Sequence, residues 1–288
     1  MKIITDIKGG LGNQLFSYVF GYAVSKEKNA ELILDVSMLK AGKINNRELE
    51  IDKFGISCDK IITIPYSDSF FMRKSGMNRL VKRSIIGFTT KVYKEKQECI
   101  YDPAVFECSG NTYFDGFWQS YRYFDKYRED ILRMIRPKEE MVGAAAEISE
   151  KMQQEASVSL HVRRGDYAGM HWLLPMEYYD RAIEKLIEMG KEVSSIYVFS
   201  DDMEFAKKYF SEKKYEGVEF IYPEYEHKDR SIMDMVLMSK CRHHIIANSS
   251  YSWWSAYLGD ADDKVTICPK TGMWGDDFYK PEWVKIEL

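Results

Sequence analysis

The chain has 288 residues, of which 45% are hydrophobic, 30% charged and 14% aromatic, and it carries a net charge of -4. That length suits two modest domains or one large one, and the acidic balance argues against a general nucleic-acid binder. Its five cysteines (Cys58, Cys99, Cys108, Cys241, Cys268) are odd in number and show no C-x-x-C spacing. This argues against a disulfide framework and a zinc site, and reads as small buried hydrophobes in a reducing compartment.

The chain opens with a predicted strand, residues 2–7. A glycine turn at Gly9-Gly10-Leu11-Gly12 leads into a helix over about 13–28. Leu15, Phe16, Val19, Phe20, Ala23 and Val24 lie on one face of that helix. A strand over 31–36 closes a βαβ-sized unit. The N-terminus lacks the features of a signal peptide, and no run of about 18 apolar residues occurs, so the expectation is a cytoplasmic chain.

Residues 40–155 show broken periodicity, punctuated by Pro65, Pro103 and Pro137, and are expected to form helices and loops. The aromatic stretch Tyr113–Tyr123 reads mostly as core or lid packing, with some rings available to a sugar. Segment 70–96 carries eight basic residues and one acidic residue, Glu95. It reads as a solvated face, or as a peripheral contact with anionic lipid on the inner membrane.

From Ser157 the pattern is regular. Strands are predicted over 157–163, 195–199, 218–222, 244–247 and 264–268, alternating with helices over 176–189, 202–210, 231–241 and 251–258. Such alternation implies a doubly wound parallel sheet, whose ligands bind beyond the carboxyl ends of the strands. Three polar clusters fall at those ends: Arg163, Arg164 and Asp166, with His161 just before them; Ser200, Asp201 and Asp202; and Asn248, Ser249 and Ser250.

That edge suits a nucleotide diphosphate. A guanidinium presents a planar fork to phosphate oxygens, a helix starting near Ser250 adds donors and dipole, and Asp201 or Asp202 can accept from ribose or guanine. Each residue also has a plainer reading: Asp201 or Asp202 as a helix N-cap, Asn248 and Ser250 as caps, Arg163 or Arg164 as a surface bridge to Asp166.

The turn at Gly10 and Gly12 lets backbone N–H groups approach a phosphate, but Leu15 stands where a dinucleotide fingerprint needs its third glycine. Asp35 keeps an NAD-type reading open. Asp260-Ala261-Asp262 falls between a helix and a strand at the opposite sheet edge and reads as a solvated turn. His243 and His244 are adjacent on a strand and cannot both face one metal; no catalytic metal and no cofactor are expected.

The strings Gly9–Phe16 (GGLGNQLF), Gly116–Ser120 (GFWQS), His161–Tyr167 (HVRRGDY), Phe199–Asp202 (FSDD) and Ala247–Trp254 (ANSSYSWW) together resemble those of glycosyltransferase family 11, the α-1,2-fucosyltransferases. The resemblance spans nearly the whole chain. It implies an α/β, GT-B-like fold: two Rossmann-like domains with a deep cleft, 1–155 on the acceptor side and 156–288 binding GDP-fucose. It also implies metal-independent, inverting transfer to the 2-hydroxyl of a terminal β-galactoside glycan, in the manner of the bacterial members.

On this resemblance Arg163 contacts the diphosphate and assists its departure. His161 and Asp166 shape the pocket, and Asn13 reaches the diphosphate or fucose. Asn248, Ser249, Ser250 and Ser252 bind phosphate oxygens, and Asp201 and Asp202 bind the nucleoside. Asp115 and Asp166, and more weakly Glu177, are candidates for a base. The rival readings are a transferase of the same fold with another sugar nucleotide or acceptor hydroxyl, and a non-catalytic nucleotide-sugar or glycan-binding protein.

Overall fold

The computed structural model describes residues 1–40, 47–63 and 86–288. They form two compact units: Met1–Arg136 with Trp274–Phe278, and Pro137–Met273 with Tyr279–Leu288. The division therefore differs from one at 155/156. Helix Ala144–Gln154 packs Ala145 and Met152 into a cluster with Met233, Leu237 and Met238 of the second unit. Conversely, residues 274–278 belong to the first unit, where Asp277 accepts a hydrogen bond from the Tyr101 N–H (2.8 Å) and one from Arg122 (3.1 Å).

The first unit holds a five-stranded sheet built from β1 (Lys2–Asp6), β2 (Glu31–Asp35), β3 (Lys60–Ile62), β4 (Lys91–Lys94) and β5 (Thr112–Asp115). Its order is β3-β2-β1-β5-β4, with every pairing parallel. Helix α1 (Leu11–Lys28) crosses from β1 to β2. Its predicted apolar face is fully buried, and Asn29, in the left-handed region, ends it. Three strands thus stand in the region expected to hold helices and loops. β3 (KII) and β4 (KVYK) are short and largely exposed edge strands, so they lack a buried alternation to read.

The strand end of β5 is tied to the residue after β4. The Glu95 carboxylate accepts hydrogen bonds from the backbone N–H groups of Phe117 (2.7 Å) and Trp118 (3.1 Å). Burial nevertheless pushes Glu95 up to about 7, against the pull of those two bonds. The folded state therefore holds this proton more tightly than the unfolded chain, and stability from this group falls as pH rises from about 4.5 through about 7. We expect wild type to lose stability relative to Glu95→Gln over that window in urea denaturation series. An unchanged difference would show that Glu95 does not titrate there.

The second unit holds β6 (Ser157–Val162), β7 (Ser195–Ser200), β8 (Glu219–Ile221), β9 (His243–Ile245), β10 (Thr266–Lys270) and β11 (Val284–Glu287) in the order β11-β10-β9-β6-β7-β8, again all parallel. The helices around it include α2 (Gly165–Met170), α3 (Glu177–Glu188), α4 (Met203–Ser211), α5 (Arg230–Lys240) and α6 (Ser250–Leu258). β6 is buried at all six positions, as a strand covered on both faces must be. Val158, Leu160 and Val162 pack with Tyr178, Tyr179, Ile183 and Leu186 of α3. Among the described residues no helix is long and apolar enough to cross a membrane. Of the basic segment 70–96, residues 70–85 lie outside the described part; Phe88, Lys91, Lys94 and Lys96 are exposed.

Candidate active site

In the second unit the chain steps outward from β6 to β7 and β8, then returns and steps the other way through β9, β10 and β11. The order reverses between β6 and β9. Ligands of open parallel sheets bind beyond the carboxyl ends at such a reversal. Residues 163–166 leave β6 there and 246–250 leave β9.

Arg163 is clamped between two carboxylates. One guanidinium nitrogen donates to Asp166 Oδ1 at 2.6 Å and the other lies 2.8 Å from Asp201 Oδ2. The Tyr167 ring lies 5.4 Å away, and Arg163 Nε is buried with no hydrogen-bond partner among the described residues. Asp201 also accepts from the Arg164 backbone N–H at 2.8 Å, so one carboxylate fixes both the side chain and the turn. The turn needs glycine at 165, because a Cβ there would meet Asp201 Oδ2 at 2.6 Å.

Asp202 takes the capping role allowed for it: it accepts from Phe205 N–H (3.3 Å) at the start of α4, and it pairs with Arg164 Nε at 3.0 Å. Arg164 lies 3.4 Å over the Phe205 ring. In this structure Asp201 and Asp202 are thus both spent on arginines.

His161 is buried on β6, with its ring 5.4 Å from that of Tyr251 and its Nδ1 lacking a partner among the described residues. Burial, helped by the Arg163 charge, pushes it down to about 4, so the ring is neutral at physiological pH. Asn248 Nδ2 donates to the Trp172 carbonyl at 2.9 Å, and its Oδ1 is buried with no partner among the described residues. The Asn248 carbonyl accepts from Tyr167 Oη at 3.2 Å. Ser249 caps α6 through the Tyr251 N–H, Ser250 opens that helix, and Ser252 Oγ turns back to the carbonyls of Ala247 and Ser249. Three orphaned polar atoms therefore gather at one sheet edge, where buried groups are normally satisfied.

The first unit has the same logic. Its strand order reverses between β1 and β5. After β1 come Gly9, Gly10 and the helix residues Gly12 and Asn13; β5 ends on Asp115 and is followed by the GFWQS string. Gln14 ties the glycine turn to residues 48–50: its Nε2 donates to the carbonyls of Gly9 and Glu48, and its Oε1 accepts from the Glu50 N–H, so it is a structural residue. Lys8 Nζ bridges Asp6 (3.2 Å) and Asp115 (3.1 Å). Burial pulls the Lys8 ammonium down, but the two carboxylates outweigh it and hold it above its ordinary value. Burial pushes Asp6 up to about 6, against the pull of Lys8.

Asn13 Oδ1 accepts from Gln119 Nε2 at 2.8 Å. Sequence reasoning quoted the string containing Gln119 but gave the residue no role, because a contact across 106 positions leaves no local signal. Tyr167 was likewise quoted only within its string, and Arg164, named among the polar residues past β6 with a bridge to Asp166 as its plainer reading, pairs instead with Asp202. Glu177 opens α3 as an exposed residue, and Asp260 and Asp262 are exposed in the turn between α6 and β10. Among the described residues no three His, Cys, Asp or Glu side chains are grouped to hold a metal ion.

Two parallel-sheet α/β units, each with polar residues gathered where its strand order reverses, have the architecture of the GT-B fold. The chain belongs to glycosyl transferase family 11, whose model matches residues 2–287. It is 34% identical to an α-1,2-colitosyltransferase of Escherichia coli, over 99% of each chain. It is 30% identical to the O-antigen biosynthesis glycosyltransferase WbnK of the same organism, over 97% of this chain and 99% of that one. Among solved structures, the α-1,6-fucosyltransferase NodZ of Bradyrhizobium, soaked with GDP-fucose, superposes with a TM-score of 0.50 at 12% identity, over 89% of this chain and 92% of that one.

Proposed function

We propose that the protein transfers fucose from GDP-fucose to the 2-hydroxyl of a terminal β-galactoside, with inversion and without a metal. The observation that carries this reading is Arg163, held at the reversal point of the second sheet by Asp166 and Asp201. A planar guanidinium fixed at two points presents its remaining donors in a set direction, which suits a diphosphate better than a mobile lysine does.

In the reaction a bond forms between the acceptor oxygen and the anomeric carbon as the bond from that carbon to the β-phosphate oxygen breaks. Negative charge grows on the departing GDP, and a fixed cation there stabilises the transition state more than the ground state. The acceptor proton passes to a carboxylate. Asp115 and Asp166 are the candidates, one paired with Lys8 and the other with Arg163. Asn13 contacts the diphosphate or the sugar. Asn248 and Ser250 would meet the phosphate oxygens with the backbone donors at the start of α6, while the Ser249 and Ser252 hydroxyls hold that turn.

The 34% identical relative favours a second donor, GDP-colitose, with the same α-1,2 linkage. Release of GDP from each sugar nucleotide, with and without lactose, in EDTA, decides among these. Lactose-dependent release from GDP-fucose supports the first reading. Release from GDP-colitose alone supports the second. Binding without release would leave a nucleotide-sugar-binding protein.

A further inference from the structure

Gln119 is almost wholly buried at 3% exposure and stands between the buried Cys99 thiol and the half-buried Asn13 amide. Its Oε1 lies 3.6 Å from Cys99 Sγ. Burial pushes the Cys99 thiol up to about 12, so the sulfur carries its proton and acts as donor. With the carbonyl side of the Gln119 amide directed to that S–H, the NH₂ side faces Asn13 and donates to Oδ1 at 2.8 Å. The orientation of an amide is decided by such a network rather than by its outline.

Asn13 is therefore fixed as well: its Oδ1 is turned to Gln119 and its Nδ2 to the opposite side, over the glycine turn. There a Cβ on Gly9 would stand 2.8 Å from Nδ2, and Gly9 has φ +75°. Glycine at position 9 makes room for the amide on two counts, having no side chain and tolerating this backbone conformation.

We propose that Gln119 is a positioning residue, which acts through Asn13 by holding the donor face of that amide toward the glycine turn at the carboxyl end of β1. The inference rests on the donor reading above, in which Asn13 meets an anionic or hydroxyl-bearing ligand. A phosphate oxygen accepts hydrogen bonds only. Reversing the Asn13 amide would set its Oδ1 against that acceptor, so the orientation decides whether the contact attracts or repels.

The test is Gln119→Glu, read as lactose-dependent GDP release from GDP-fucose across pH 5 to 8.5. A protonated glutamic acid has the shape of glutamine and can donate to Asn13 Oδ1. Once ionised it can only accept, and it draws the Asn13 NH₂ round. Turnover of the variant is expected to approach wild type at low pH and to fall about 10-fold or more as the carboxyl ionises, chiefly in kcat. In an Asn13→Ala background the same substitution is expected to add no such fall. Thermal melts at each pH separate this from unfolding.

Should Gln119→Glu not fold, the thiol gives the second reading: Cys99→Ser keeps a donor and retains activity, whereas Cys99→Ala loses part of it. A variant that follows the wild-type pH profile, or a pH-dependent fall that persists without the Asn13 amide, overturns the proposal while leaving the donor reading intact. If the wild type binds GDP but does not turn over GDP-fucose, the sugar assignment alone fails, and the same pH cycle is read in the dissociation constant of GDP. A wild type that binds no GDP overturns both.

Discussion

Arg163→Ala is expected to lower acceptor-dependent GDP release by about 10²–10³-fold, in kcat more than in KM. Arg163 is a cation fixed where the strand order of the second sheet reverses, and on the proposed mechanism its value lies in being oriented before charge develops. Two carboxylates do that orienting, at 2.6 and 2.8 Å. Arg163→Lys is expected to restore little, because a single ammonium cannot span Asp166 and Asp201 and still present a plane of donors.

The fold should survive either change. The three side chains keep 20%, 31% and 25% of their exposure at the sheet edge, so water can reach the two carboxylates left behind and the cost is a loss of stability rather than of the fold. Kinetics beside a thermal melt separate the two roles. Near-normal turnover would end the assignment of Arg163 to GDP departure, and a large drop in melting temperature with proportionate loss of active protein would make it a structural clamp.

The second unit was legible in the sequence because its strands are covered on both faces. Runs such as SVSLHV and SIYVFS are continuous buried segments between amphipathic helices, and each ends in polar residues whose place at the sheet edge follows from the topology. The first unit was legible only around α1. β3 and β4 are short, exposed edge strands without the period or length that separates strand from loop, and in the second unit β11 alternates over only the four residues VKIE after an irregular stretch.

The site shows the same division. That Arg163 and Asp166 sit together follows from their spacing, but Asp201 joining them across the next strand does not. Nor does sequence show that Asp202 serves a helix and Arg164 at once. Long-range partners of buried polar groups are set by packing, and single positions carry no trace of it.

The aromatic string after β5 gives the largest expected effect on stability. Trp118 is buried, stacked on Phe20 of α1 at 4.2 Å with ring planes 7° apart, and edge-on to Phe114 and Tyr123. The motif that invited a sugar-stacking reading is, at this ring, the core between helix and sheet. Trp118→Ala is expected to destabilise the protein by about 3–5 kcal/mol, the range for emptying a buried aromatic site.

The backbone adds a sharper test. Trp118 has φ +57°, a left-handed conformation that costs a non-glycine residue energy, and it is held there by the Glu95 carboxylate on its N–H and by Ser120 N–H on its carbonyl. Trp118→Gly removes the same ring but relieves that cost, so it should be less destabilising than Trp118→Ala by about 1 kcal/mol. In a strand or helix the order would be reversed. If urea denaturation finds alanine the better replacement, the turn relaxes once the ring is gone, and the stack rather than the Glu95 contacts sets the left-handed backbone. If glycine is better, the turn is fixed by its own hydrogen bonds, and the residue that follows it, Gln119, keeps its place beside Asn13 even when the core beneath is hollowed.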